Sequence, residues 1–151
     1  MVDARPDVAV LVAVRRARDL IDREYAEPLD LTAIAAAARY SRSHLTRVFT
    51  AAYGESPSRY LSRRRVERAQ DLLRSVNLTV TEVCHLVGFS SLGSFSSRFT
   101  EVVGTSPSKF QRDAHRVAPP PIPGCYVLMW AHPMGRSKSA PTEKRPHPRR
   151  G

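Results

Sequence analysis

The feature that most narrows what this chain can fold into is an internal repeat that slips by one residue near its middle. Residues 31–60 read LTAIAAAARYSRSHLTRVFTAAYGESPSRY, and residues 80–110 read VTEVCHLVGFSSLGSFSSRFTEVVGTSPSKF. At an offset of 50, Ser41 pairs with Ser91, Phe49 with Phe99, Thr50 with Thr100 and Gly54 with Gly104, and Ser56-Pro57-Ser58 pairs with Ser106-Pro107-Ser108. Upstream the offset is 49, which aligns Thr32 with Thr81, Ile34 with Val83 and Tyr40 with Phe89. The extra residue falls within Gly88–Ser91, where a loop absorbs it. A short helix, a turn and a longer helix, used twice, form a duplicated helix-turn-helix, and that points to DNA.

Periodicity and capping residues place the elements. A first helix runs from Asp7 to Tyr25 with Val10, Val14, Ala17, Leu20 and Ile21 inward. Pro28 ends that segment, and Asp30 or Leu31 opens an alanine-rich helix to Ala38. Arg39-Tyr40-Ser41 form the turn, Ser41 caps a helix over 42–53, and Gly54 closes it in left-handed conformation. Its inner face is read as Leu45, Val48, Phe49 and Ala52. Pro57 opens a helix over 57–74, where its missing amide costs nothing. After a break at 75–78, Thr79 or Val80 starts the second motif, Gly88 turns it, and Ser91 caps a helix over 91–103 with Phe95, Phe99 and Val102 inward. Gly104 and Pro107 repeat the ending, and a last helix reaches Arg116.

The expected fold class is therefore all-α, with two three-helix subdomains at 7–56 and 75–117 joined by a linker helix at 57–74. Residues 118–151 form a Pro-rich basic tail. Within it, Ala118-Pro119-Pro120-Pro121-Ile122-Pro123 favours an extended path. Cys125–Trp130 has three readings: a strand against the helical body, a partner-binding patch, or a flexible segment. Residues from about 134 onward read as disordered.

Charge separates these regions. The net charge is +10, and residues 39–74 hold nine arginines against Glu55, Glu67 and Asp71, a balance of +6. The tail adds +5, whereas 79–104 carries only Arg98 against Glu82 and Glu101. Such a surface needs an acidic partner. Cys84 and Cys125 are too few for a disulfide framework or a four-cysteine zinc site, and His44, His85, His115, His132 and His147 show neither metal spacing nor a triad. No cofactor, metal or catalytic residue is expected, and an enzyme is excluded. Val8–Val14 is too short to span a membrane, so the expected setting is the cytoplasm, in association with the nucleoid.

A recognition helix meets base edges with its outward side chains. For 42–53 these are Arg42, Ser43, Thr46 and Arg47, with Thr50 placed for the DNA backbone. Arg47 is suited to a bidentate contact with guanine, and Ser43 and Thr46 to several bases or a thymine methyl. In the second motif the outward set is Leu92, Gly93, Ser96 and Ser97, with Thr100 placed for the backbone, a nearly neutral and short-armed surface. The first motif is therefore expected to dominate. On the helix between them, Arg59, Arg63, Arg64, Arg65 and Arg68 cannot all point one way, so some are expected to pair with Glu67 or Asp71 and one or two to reach phosphates, with Arg59, Arg63 and Arg64 as the candidates.

These residues resemble the DNA-binding domain of the AraC/XylS family of bacterial transcription regulators. The resemblance rests on 29–73 and 80–111, including Val87-Gly88-Phe89-Ser90, the Phe95/Phe99 spacing and the repeated Gly-x-Ser-Pro-Ser, and it covers about residues 8–116. It implies two recognition helices in successive major grooves, about 34 Å apart. It implies bent DNA, at a cost of about 1–6 kcal/mol that the contacts must exceed. Carried over by position, the base-contacting residues are Ser43, Thr46 and Arg47, then Leu92, Gly93 and Ser97, where the family usually has larger polar or basic groups. The resemblance further implies a standalone activator, monomeric on double-stranded DNA, with RNA polymerase as a candidate partner. The alternative is an architectural, weakly specific DNA binder driven by the arginines and the basic tail.

Overall fold

The helices of the two subdomains and the one between them start where a short polar side chain satisfies an otherwise unpaired amide. A computed structural model of the chain describes residues 7–117 and 121–131. The first subdomain comprises α1 (Val8–Glu24), α2 (Leu31–Ala38) and α3 (Arg42–Tyr53). The Asp7 side chain accepts from the Ala9 amide, Asp30 from Ala33 and Ser41 from His44. Next comes α4 (Pro57–Ser75), with Ser56 accepting from Arg59 and proline in its first turn. The strand β1 (Val76–Asn77) leads to the second subdomain, α5 (Val80–Leu86), α6 (Leu92–Val103) and α7 (Pro107–Val117). Thr79 and Glu82 form a reciprocal capping box at α5, and Ser91 caps α6. Gly54 and Gly104, fifty residues apart in the repeat, both end their helices at positive φ.

The repeat persists in the packing. In the first core Phe49 lies edge-on to Tyr60, ring centres 5.6 Å apart at 77°. In the second, Phe99 meets Phe110 at 5.4 Å and 74°. Phe49, Phe95 and Phe99 are fully buried.

The helix α4 is more than a spacer. Tyr60 and Leu61 from its first turns belong to the first core, with Ile21, Ile34 and Leu45. Val66, Ala69, Leu72 and Leu73 belong to the second, with Val83, Cys84 and Phe95. Both subdomains bury an apolar face against one continuous rod, so their relative placement is tied to its geometry. Cys84 sits in that second core, where burial pushes its thiol pKa up.

The structure corrects the expected inner faces and the tail. Ala52 and Val102 are exposed, while their neighbours Tyr53 and Val103 pack against the cores. Within the tail, the strand lies earlier and is shorter than the reading of Cys125–Trp130 as a strand. The strand β2 (Ile122–Pro123) pairs in parallel with β1, Val76 opposite Ile122 and Asn77 opposite Pro123. Residues 124–131 are instead helix α8 (Gly124–Ala131), with Val127 and Leu128 against the second core. Gly124 permits this approach, since a Cβ there would lie 2.4 Å from the Asn77 carbonyl oxygen. The readings of 118–120 and of the basic residues from about 134 onward fall outside the described residues. Among the described residues, no helix is long and apolar enough to cross a membrane.

Candidate nucleic-acid interface

The outward face of α3 is a shallow open depression lined by Leu31, Arg42, Ser43, Thr46, Arg47 and Thr50. The structure thus brings together all the residues expected to read the first half-site, and adds Leu31 from the start of α2 as an apolar wall. The threonines are preset. Thr46 Oγ1 donates to the Arg42 carbonyl at 2.8 Å, and Thr50 Oγ1 to the Thr46 carbonyl at 2.7 Å. With that single proton committed, each hydroxyl faces a ligand as an acceptor beside a methyl group. Thr46 therefore suits a base amino group or a thymine methyl. Thr50 would have to release its intrahelical bond before donating to a phosphate.

Arg47 is steered by His44, which the sequence marked as neither a metal ligand nor a triad member. Its Nη2 lies 2.9 Å from His44 Nδ1, and because a guanidinium only donates, the imidazole nitrogen accepts. The His44 ring is itself held edge-on against Tyr40, centres 4.4 Å apart. The signal available in the sequence was the three-residue spacing, which puts His44 and Arg47 on one helix face.

On α6 the corresponding positions Leu92, Gly93, Ser97 and Thr100 are exposed and Ser96 is half-buried. Thr100 repeats the intrahelical bond of Thr50, donating to the Ser96 carbonyl at 2.8 Å. The only basic residue of this helix, Arg98, points the other way. It is 14% exposed, donates from Nε to Ser62 Oγ at 3.0 Å, and pairs with Glu101 at 2.9 Å. The helix α6 therefore presents no cation on its outward face.

The arginines of α4 divide differently from the expectation. Arg63 bonds Glu55 at 2.8 Å and also Glu67, and Arg64 bonds Asp22 at 2.8 Å and Glu67 at 2.6 Å. Hydrogen bonding to Glu55 in the first case and to Glu67 in the second pushes both guanidinium pKa values up. Their donors are engaged in fastening α4 to α1 and to the loop before it. Arg59 pairs with Glu101 at 2.6 Å but keeps 59% of its side chain exposed. Of the three expected phosphate contacts, Arg59 has the most exposed side chain, against 34% for Arg63 and 37% for Arg64.

A family model described as a helix-turn-helix domain matches residues 34–113. The chain belongs to the AraC-type helix-turn-helix family of DNA-binding regulators. Among its relatives is the Msm operon regulatory protein of Streptococcus mutans, 33% identical over 66% of this chain and 36% of that protein. The transcriptional regulator GbdR of Pseudomonas aeruginosa is 33% identical over 73% of this chain and 31% of its own. The chain thus spans about a third of the length of these curated relatives. Among solved structures, the DNA-binding domain of AdpA in complex with a target DNA has a TM-score of 0.65 and 27% identity, covering 69% of this chain and 94% of that one. The C-terminal domain of AraT from Geobacillus stearothermophilus has a TM-score of 0.63 and 31% identity, covering 67% and 84%. These relatives are transcription regulators, not enzymes.

Proposed function

We propose that this AraC-type chain is a sequence-specific regulator that lays α3 and α6 into successive major grooves of double-stranded DNA, with α3 supplying most of the sequence information. The observation that carries this is the α3 depression, where Arg42, Ser43, Thr46 and Arg47 present donors, acceptors and methyl groups together. The solved AdpA domain, whose fold this chain shares, was captured on its target DNA. In the second groove Leu92, Gly93, Ser96 and Ser97 fit close to the duplex and offer methyl or hydroxyl contacts. Arg59 is the leading phosphate contact, and Thr50 and Thr100 join it only by breaking their intrahelical bonds. Binding is as a monomer, the two motifs of one chain occupying one asymmetric site. Contact with RNA polymerase and activation of transcription complete the reading, on the strength of the family.

The architectural alternative loses part of its basis once Arg63 and Arg64 are seen to be engaged internally. Selection of bound duplexes from a random pool at about 150 mM salt separates the readings, because nonspecific binding falls steeply with salt. The expected result is an enriched asymmetric site with two parts about 10–10.5 base pairs apart, more sharply defined in one part. A palindromic site would replace the monomer with a dimer. Binding without enrichment would favour the architectural reading.

A further inference from the structure

Elements from both halves of the molecule meet at one side chain that the DNA-facing surface does not use. Arg65 lies on α4, where its Nε donates to the Tyr25 carbonyl at 2.6 Å and its Nη2 to the Glu27 carbonyl at 2.9 Å. Those oxygens belong to the end of α1 and the turn after it, where a helix leaves carbonyls unpaired and partially negative. The same guanidinium lies 5.8 Å from the centre of the Phe89 ring, in the turn of the second motif. Burial pulls its pKa down, unlike that of the ion-paired Arg63 and Arg64.

Gly88 completes the contact. A Cβ there would come within 2.8 Å of the Tyr25 carbonyl oxygen, 3.0 Å of the Ala26 carbonyl oxygen and 3.0 Å of Arg65 Nε. The equivalent turn residue of the first motif, Arg39, sits at a φ of 60° and carries an exposed side chain. Gly88 lies at 96°, where any side chain is strained, so its backbone conformation and its direct seating on the end of α1 both call for glycine.

We infer that Arg65 and Gly88 form a latch that fixes the distance and rotational phase between α3 and α6, and thereby the half-site spacing the protein accepts. This rests on the reading of the chain as a two-groove DNA reader. Two linked binding elements reinforce each other only as far as the link holds them in the geometry of their sites. A stiff link rejects other spacings, and a loosened one tolerates them. Arg65 is thus a positioning residue, acting on DNA through the two recognition helices.

The test begins with the bipartite site selected by the full chain. That site is rebuilt with one base pair added or removed between its halves, and the first half is prepared alone. One base pair moves the second half by about 3.4 Å and about a tenth of a turn. Wild-type protein is expected to lose about tenfold or more in affinity on the re-spaced duplexes. R65A and R65K should bind the isolated first half like wild type, lose about fivefold on the natural spacing, and show a spacing penalty flattened to about twofold. Lys keeps the charge but lacks the planar fork that spans two carbonyls, so it reads the latch even if R65A fails to fold. G88A should flatten the penalty in the same way. A wild-type spacing penalty in R65K and G88A overturns the latch. So does an equal loss on every duplex, the first half included, since that is the mark of a residue that only stabilises the fold. If wild type selects no bipartite site, the two-groove reading fails first and takes the latch with it.

Discussion

At matching positions, α3 carries Arg42, Ser43, Thr46, Arg47 and Thr50 where α6 carries Leu92, Gly93, Ser96, Ser97 and Thr100. The frames behind them are close copies, with the same serine caps, the same left-handed glycine ends and the same edge-on aromatic pair. The difference lies in where the cations stand. Val48, half-buried in the first motif, becomes Arg98 in the second, and that guanidinium is turned onto α4 and Glu101. The duplicated scaffold thus has one motif with cations on its outward face and another whose cation is turned onto α4, the asymmetry on which the proposed division of reading rests. A shared frame does not oblige its two copies to do equal shares of recognition.

The largest expected effect tests whether the two frames are one unit. Phe49→Ala and Phe99→Ala each remove a fully buried ring and should cost about 3–5 kcal/mol. Because α4 contributes to both cores, each variant is expected to show a single unfolding transition, with amide protection lost in both subdomains together. Two separate transitions in calorimetry, with only the mutated half destabilised, would break the idea of a common rod.

Next in size is the division of reading labour. Arg47→Ala should cost about 1–3 kcal/mol on the selected site and erase the preference at one or two positions of the better-defined half. Ser97→Ala, its counterpart, should stay within about 0.5 kcal/mol. Fluorescence anisotropy on matched and mismatched duplexes measures both. A larger loss from Ser97→Ala would invert the comparison.

A gain-of-function change sharpens it. A Cβ added at Gly93 has no neighbour within 4 Å, so a side chain can leave the backbone there without a clash. Gly93→Arg should favour helix α6 by about 0.5–1 kcal/mol through lost unfolded-state freedom. It should also make the logarithmic salt slope steeper by about 0.9 if the new charge reaches a phosphate. An unchanged slope would mean that the α6 face does not approach the duplex.

How much of this was legible depends on how local each feature is. Caps at Asp7, Asp30, Ser41, Thr79 and Ser91 act on amides two or three residues away, so the chain displays both partners side by side. Helix inner faces were legible except at their last turns. Spacing alone could not choose between Ala52 and Tyr53 or between Val102 and Val103, and packing against neighbouring elements decides it. The roles of Arg64 and Arg65 were out of reach because their partners Asp22, Tyr25 and Glu27 lie about forty residues upstream. The helix α8 was hidden by a run of aromatic and branched residues behind prolines, and it is supported by β1 and the second core. The outward residues of α3 were legible because, among the described residues, no other element covers them.

The smallest expected effect separates the two motifs by how their first helices begin. Helix α5 opens on a reciprocal box in which Glu82 accepts from the Thr79 amide at 2.7 Å and from its hydroxyl at 2.9 Å. Helix α2 opens on Asp30 alone, accepting from Ala33. The hydrogen bond from the Thr79 amide, then that from its hydroxyl, holds the Glu82 carboxyl below the usual carboxylate range. A carboxyl whose folded pKa is depressed stabilises the folded state above its unfolded value, and the contribution disappears as pH falls through the folded one. Amide protection in the first turn of α5 should therefore fall on acidification below the ordinary carboxylate range. Glu82→Gln accepts the same two hydrogen bonds without titrating, so it should lose this pH dependence while keeping most of the cap. If the α5 amides of the variant still follow the wild-type acid profile, another carboxylate governs the start of the second motif, and Glu101, also held low by Arg98 and Arg59, is the group to change next.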